Sequence, residues 1–208
     1  MIDKFDVQGF FYNQKGLKFR RFLDIKRKGM NSRESDLNVI MMNPGSSKPK
    51  GIDENLSLDY LDRFVEAHPD NTQSQIMKIM EKCKFNYAKI VNLSDIRNTN
   101  SNNFYKMLSD ELKETEHSIF HESNRHLLKS YLNPNAIFIL AWGVDNKLQC
   151  LSELALNVLT ELWGTEIIKV GLKHSTNKHG YYHPLPKTQQ SQKDWIERMS
   201  KKIESLHG

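Results

Sequence analysis

Leu37-Asn38-Val39-Ile40-Met41-Met42-Asn43-Pro44-Gly45 is the stretch on which the fold turns. A short continuous apolar run closed by Asn-Pro-Gly reads as a strand buried on both faces that stops at a sharp turn, as strands at the centre of α/β sheets do. Three further runs share this character: Tyr87 to Leu93 (YAKIVNL), Ala136 to Trp142 (AIFILAW, closed by Gly143) and Glu166 to Leu172 (EIIKVGL). Apolar residues between them recur at helical spacing. Leu58, Leu61, Phe64 and Val65 mark one helix, and Ile76, Met77, Ile79 and Met80 mark a second behind the capping candidates Thr72 and Ser74. Helical patterns follow at Phe104 to Leu112, Leu127 to Leu132, Leu148 to Leu162 and Trp195 to Leu206. Parallel strands need crossover connections, so this alternation predicts an α/β fold: a three-layer α/β/α sandwich with a mostly parallel central sheet of about four strands. Residues 17 to 28, between Gly16 and Gly29, alternate as a further strand that would form an N-terminal antiparallel edge or hairpin.

At 208 residues the chain suits one well-buried core, and no repeat or low-complexity linker divides it, so residues 1 to 208 are read as a single domain. Cys83 and Cys150 sit far apart in helix-like patterns, which favours buried, unreactive thiols over a disulfide or a four-thiolate metal site. The opening MIDKFDVQGFFYNQKG has no apolar run behind a basic one, and no stretch approaches the roughly 18 apolar residues of a membrane span. The expected location is cytoplasmic, with no membrane partner. A net charge of +5, from 30 basic and 25 acidic residues, leans toward an anionic partner but falls short of a DNA-coating protein.

Ligands of such sheets bind outside the carboxyl ends of the strands. That rule selects the loops beginning at Asn43, near Asn92 to Arg97, and after Trp142-Gly143, with His174 to Pro186 returning to the same edge. The order of the NPG turn, VNLSDIR, FILAWG and GLKHSTNKHGYYHPLP, over roughly residues 17 to 197, resembles the bacterial family of domain of unknown function 1643. AWG followed by HPLP is the most specific part. That family commonly has Ser where Gly45 stands, so the chain departs there toward a tighter turn.

A more distant resemblance, to uracil-DNA glycosylases, implies a glycosylase-like fold and an N-glycosidic hydrolase. The mismatch-specific branch has a turn similar to Asn43-Pro44-Gly45, whose Asn positions the attacking water. Other branches have an Asn after the second strand that reads the uracil edge, which carries over to Asn92. A late His-Pro-Ser-Pro motif resembles His183-Pro184-Leu185-Pro186, giving His183 the leaving-group role, with Leu185 in place of the Ser hydroxyl that contacts DNA. The iron-sulfur cysteines of some branches are absent, so the resemblance implies no cofactor. No carboxylate stands at the first turn, where faster branches carry one.

The resulting candidate set is Asn43 and His183 for catalysis, with Asn92, Pro44, Gly45, Trp142, Gly143 and Tyr182 for substrate binding. An amide can aim water at a sugar carbon, an imidazole can donate to a departing base, and Trp142, Tyr181 and Tyr182 are of the type that stacks on bases. Each also has an ordinary reading: Asn43 in a turn hydrogen bond, Asn92 as a cap or loop tie, His183 as a structural histidine, Trp142 in the core. Asp95 and Arg97 read equally as a local ion pair or as a phosphate contact. The partner class implied is a nucleic acid or a nucleotide. Two rivals stand beside hydrolysis: a non-catalytic nucleic-acid or nucleotide-binding module, and a metal-dependent hydrolase built on His174, His179 and His183. Neither that group nor His117, His121 and His126 has a recognised ligand spacing, so no metal site is predicted.

Overall fold

The computed structural model describes residues 2–53, 63–110 and 115–206. The chain opens with a hairpin of β1 (Phe5–Gln14) and β2 (Leu17–Arg27), turning through Lys15 and Gly16 at φ 51° and 76°. Two successive left-handed residues give the turn whose twist matches paired antiparallel strands, and glycine takes the second position without strain. Next come β3 (Leu37–Met41), β4 (Lys48–Pro49), β5 (Phe64–His68), α1 (Asn71–Lys82), β6 (Tyr87–Asn92) and α2 (Ser101–Asp110). The chain then forms α3 (Arg125–Tyr131), β7 (Ile137–Leu140), α4 (Gln149–Trp163), β8 (Lys169–Val170) and α5 (Gln189–Glu204).

The eight strands among the described residues join one sheet in the order β4-β5-β1-β2-β6-β3-β7-β8. The expected mostly parallel, glycosylase-like sheet of about four strands is overturned. Three pairings, β6 with β3, β3 with β7 and β7 with β8, are parallel, but the four from β4 to β6 through β5, β1 and β2 are antiparallel. The missing half has a sequence reason. β1 alternates buried and exposed residues from Phe5 onward, a weaker signal than a continuous apolar run. The hairpin is also no edge: β1 pairs with β5, so β4 and β8 are the outer strands.

Phe64 and Val65, expected on a helix with Leu58 and Leu61, belong to β5; Leu58, Leu61 and Leu112 lie outside the described residues. Tertiary packing decides the matter, because the Phe64 ring meets Phe10 and Phe22 across the strands at 6.1 and 6.3 Å. Neither Thr72 nor Ser74 caps α1. Asp70 does, accepting from Gln73 N at 3.0 Å while its own N–H donates to Gln73 Oε1, a reciprocal capping box.

Both faces of the sheet are covered. Leu37, Val39, Met41, Ile137 and Ile139 pack with Ile76 and Met80 of α1 and Trp195, Met199 and Ile203 of α5. Ile40, Phe138, Leu140 and Trp142 pack oppositely with Phe104 of α2, Leu128 of α3 and Leu151, Ala155, Val158 and Leu159 of α4. The period-two alternation of β3 and β7 thus feeds two cores, which is why their sequences read as unbroken apolar runs. Both cysteines are free, but Cys83 is only half-buried and Cys150 is exposed, correcting the expectation of buried thiols. Among the described residues no helix is long and apolar enough to cross a membrane.

Candidate functional site

The parallel strands β3, β6 and β7 deliver their carboxyl ends to one rim, where chain leaves each strand in a loop. A cavity of about 400 Å³ opens there. Asn43, Pro44 and Gly45 form one wall, Trp142 and Gly143 another, and His183 closes it from the late loop. Tyr182 lines instead an adjoining cavity of about 680 Å³, which shares Tyr105, Gly143, His183, Pro186 and Lys187 with the first. Asn92 lines neither.

Asn43 is oriented by its amide nitrogen, which donates to Asn98 O at 2.8 Å and more weakly to Ile96 O at 3.4 Å. Two carbonyls on one side fix which end of the amide is nitrogen. Oδ1 is therefore the free end, with no partner among the described residues. Gly45 takes φ +62°, and a Cβ there would sit 2.8 Å from Asp70 Oδ2. The turn needs glycine twice over, for its backbone conformation and for the carboxylate beside it.

His183 is half-buried in the wall, and Leu185 N donates to its Nδ1 at 3.2 Å. Burial lowers its pKa to about 4, against a weaker opposing pull from Asp70. The ring is thus neutral near pH 7, and with Nδ1 accepting, its proton resides on Nε2. That N–H has no partner among the described residues, so the cavity holds an imidazole donor of defined tautomer.

Asp70 is the residue that sequence reading missed. Its Oδ1 is held by the cap of α1, and its charge is felt by His183 and by Arg20. Asp70-Asn71-Thr72-Gln73 is legible as a capping box, which marks a helix start, but nothing in it says that the helix begins in the cavity wall.

Behind the Asn43 turn lies a buried polar layer. Arg20 is fully buried; it donates to Asn92 Oδ1 at 2.9 Å and reaches Pro44 O at 3.5 Å, and burial lowers its pKa to about 10. Asn92 is itself fully buried with Nδ2 unpartnered, so its observed contact is a tie between β6 and β2. Asp95 is buried against Arg21 Nε and Tyr12 OH, each at 3.2 Å; burial raises its carboxyl to about 7 despite the pull of Arg21. Arg97 sits over the Phe11 ring, 5.5 Å from its centroid.

Trp142 is fully buried, donates through Nε1 to His179 O at 2.8 Å and meets Tyr181 edge-on at 5.1 Å. It supports that wall of the cavity as a core residue. Gly143 exchanges backbone hydrogen bonds with Tyr181 at 2.7 and 3.0 Å, fastening the late loop to the end of β7. Tyr182 is 40% exposed beside His174, and its carbonyl accepts from Trp195 Nε1 at 2.9 Å. Among the described residues no three His, Cys, Asp or Glu side chains gather as a metal site would need.

The chain belongs to the family described as protein of unknown function (DUF1643), which matches residues 23–185. That segment holds Asn43, Asp70, Asn92, Trp142 and His183, while β1, Arg20 and α5 lie beyond it. A search of the curated proteins finds no match, nor does a search of the solved structures. The resemblance to uracil-DNA glycosylases has no counterpart in these comparisons.

Proposed function

We propose that this DUF1643 chain binds a nucleobase-containing ligand in the Asn43–His183 cavity and hydrolyses its N-glycosidic bond. One observation carries the reading. An amide oxygen and a neutral imidazole N–H, each held by its other end and each without a protein partner, belong to walls of the same cavity, with the Asp70 carboxylate among its lining.

Breaking a C–N glycosidic bond builds positive charge on the sugar and negative charge on the departing base. Asn43 Oδ1 accepts a hydrogen bond from a water and aims it at the anomeric carbon. The carboxylate of Asp70 stabilises the cationic sugar and takes the proton that water loses as its oxygen bonds to carbon. The bonding pair leaves with the base nitrogen, and His183 Nε2–H donates to the base as that charge arrives. The products are the sugar with a new hydroxyl and the base anion, which becomes the neutral base on taking up a proton from solvent as Asp70 gives up the one it received. A neutral donor aimed at developing charge is worth about 2.7 to 4 kcal/mol where such a group has been removed from other enzymes.

Single-turnover release of base from oligonucleotides and nucleosides carrying uracil or hypoxanthine tests this, with parallel binding titrations. His183→Ala and Asn43→Ala are expected to slow release by about 100-fold or more while leaving affinity within a few-fold, because both act on the transition state. Binding with no release from any substrate would instead identify a non-catalytic recognition module.

A further inference from the structure

The chain carries +5 overall, yet the ionisable lining of the two joined cavities runs the other way. The joined lining holds Asp70, Asp145 and Asp194 against Lys187 and Arg198, one net negative charge, and His183 adds none when neutral. The cleft is therefore net negative in a basic protein. Each of the three carboxylates is half committed. Asp70 Oδ1 accepts from Gln73 N at 3.0 Å, Asp145 Oδ1 from Lys147 N at 2.9 Å and Asp194 Oδ1 from Gln190 Nε2 at 2.8 Å. The second oxygen of each has no partner among the described residues. Asp70 lines the smaller cavity, and Asp145 and Asp194 line the larger one, whose lining also includes the apolar side chains of Leu172, Pro186 and Trp195.

Resting on the hydrolase reading above, we propose that the substrate is a free, uncharged nucleoside and not a nucleic acid. A nucleoside matches the cleft group by group. Its base presents flat apolar faces to Leu172, Pro186 and Trp195, and its sugar hydroxyls are donors for carboxylate oxygens, the pairing by which acidic residues hold ribose in dinucleotide sites. The volume, about 680 Å³ in the larger cavity alone, is in the range of small-ligand sites. A nucleic-acid strand would instead bring one phosphate charge per nucleotide past three carboxylates. Proteins that track such a backbone line the groove with positive charge, whereas here the two cations of the lining, Lys187 and Arg198, are outnumbered by the three carboxylates.

The test is calorimetric titration of the full chain with uridine and inosine, their 5′-monophosphates, and short single-stranded oligonucleotides containing the same bases. Nucleosides are expected to bind about tenfold more tightly than either phosphorylated form, with an affinity that hardly changes between low and high salt. Asp145→Asn with Asp194→Asn, which keep the turn and helix contacts in kind, should weaken nucleoside binding several-fold and improve monophosphate binding, narrowing the gap. Oligonucleotides binding more tightly, with log affinity falling against log salt at about −0.7 for each phosphate neutralised, would overturn the proposal. So would nucleosides that fail to bind. Base release separates this proposal from the hydrolase reading: nucleosides bound without release would support the ligand and sink the reaction, whereas release from oligonucleotides alone would keep the reaction and sink the ligand.

Discussion

The two halves of the sheet solve the same problem differently. In the parallel half, β3, β6 and β7 are buried on both faces and end in the loops that line the cavity; in the antiparallel wing, β4-β5-β1-β2, strand β1 alternates core and more exposed residues, and among the described residues the wing contributes no side chain to the cavity lining. Yet the wing is not a passive flank, because Arg20, Arg21 and Tyr12 reach from it beneath the Asn43 turn and the loop after β6. The contrast separates residues that shape the site from those that underpin it.

The sharpest way to break this contrast is a truncation on each side. Phe138, fully buried between β3, β8 and α4, should cost about 3 to 5 kcal/mol when changed to Ala, since the cavity is closed on all sides. Phe64→Ala in β5, where the residue is 36% exposed, should cost less than half as much. Urea unfolding measures both. Equal costs would mean that the wing is as tightly packed as the parallel half.

Legibility in the sequence follows the same division. Strands buried on both faces are written as unbroken apolar runs, so β3, β6 and β7 could be seen, and with them Asn43, Gly143 and the loop after β6. A wing strand such as Phe5–Gln14, with Gly9 and polar residues at alternate positions, looks like irregular chain until its partners are known. β5 was obscured for a related reason: two apolar residues cannot by themselves distinguish a strand from a helix turn. The burial of Asn92 was hidden because it depends on Arg20, a residue 72 positions away on a strand that sequence placed at the edge. Asp70 was hidden because a capping signature describes a helix end without saying what that end faces.

A second test concerns the seam. Burial lowers His117 and His183 to about 4 from 6.5 and raises Asp95 to about 7 from 3.8. Between pH 4 and 6.5 the unfolded chain binds more protons at the two histidines, so their contribution makes stability rise with pH. The folded chain binds more at Asp95, so its contribution makes stability fall from about pH 4 to 7. The two histidines outnumber the carboxyl, and these three groups together should make stability increase by about 1.4 kcal/mol per pH unit, the value of one net proton. Asp95→Asn removes the opposing group and should steepen that slope toward two protons. Chemical denaturation at several pH values reads the slope; one that is already near two protons and stays unchanged in Asp95→Asn would show that the carboxyl is held ionised by Arg21.

At the turn where the two halves meet the cavity, Gly45→Ala should cost about 1 to 3 kcal/mol in stability from its left-handed backbone alone. Its Cβ also crowds Asp70, so base release should fall further than folding does. Equal retention of activity and stability would remove Asp70 and Gly45 from the working wall.

The smallest expected effect lies at the outer margin of the wing and ranks its ion pairs. Lys50 and Glu66 approach to 2.5 Å, closer than Arg21 and Asp95 at 3.2 Å, so distance alone would make the edge pair the stronger. Exposure reverses the order. The Lys50 and Glu66 side chains are 51% and 64% exposed, and water and salt screen a pair whose long side chains lose freedom on meeting. Asp95 is 1% exposed and cannot exchange Arg21 for water, so losing either partner strands a group in the interior. Double-mutant cycles with Lys50→Ala and Glu66→Ala, and with Arg21→Ala and Asp95→Ala, should find a coupling indistinguishable from zero at the edge and a clear one beneath the site. Coupling at Lys50–Glu66 equal to that at Arg21–Asp95 would mean that burial does not set the strength of charge pairing in the wing, and the case for its buried side chains as supports of the cavity would lose its energetic basis.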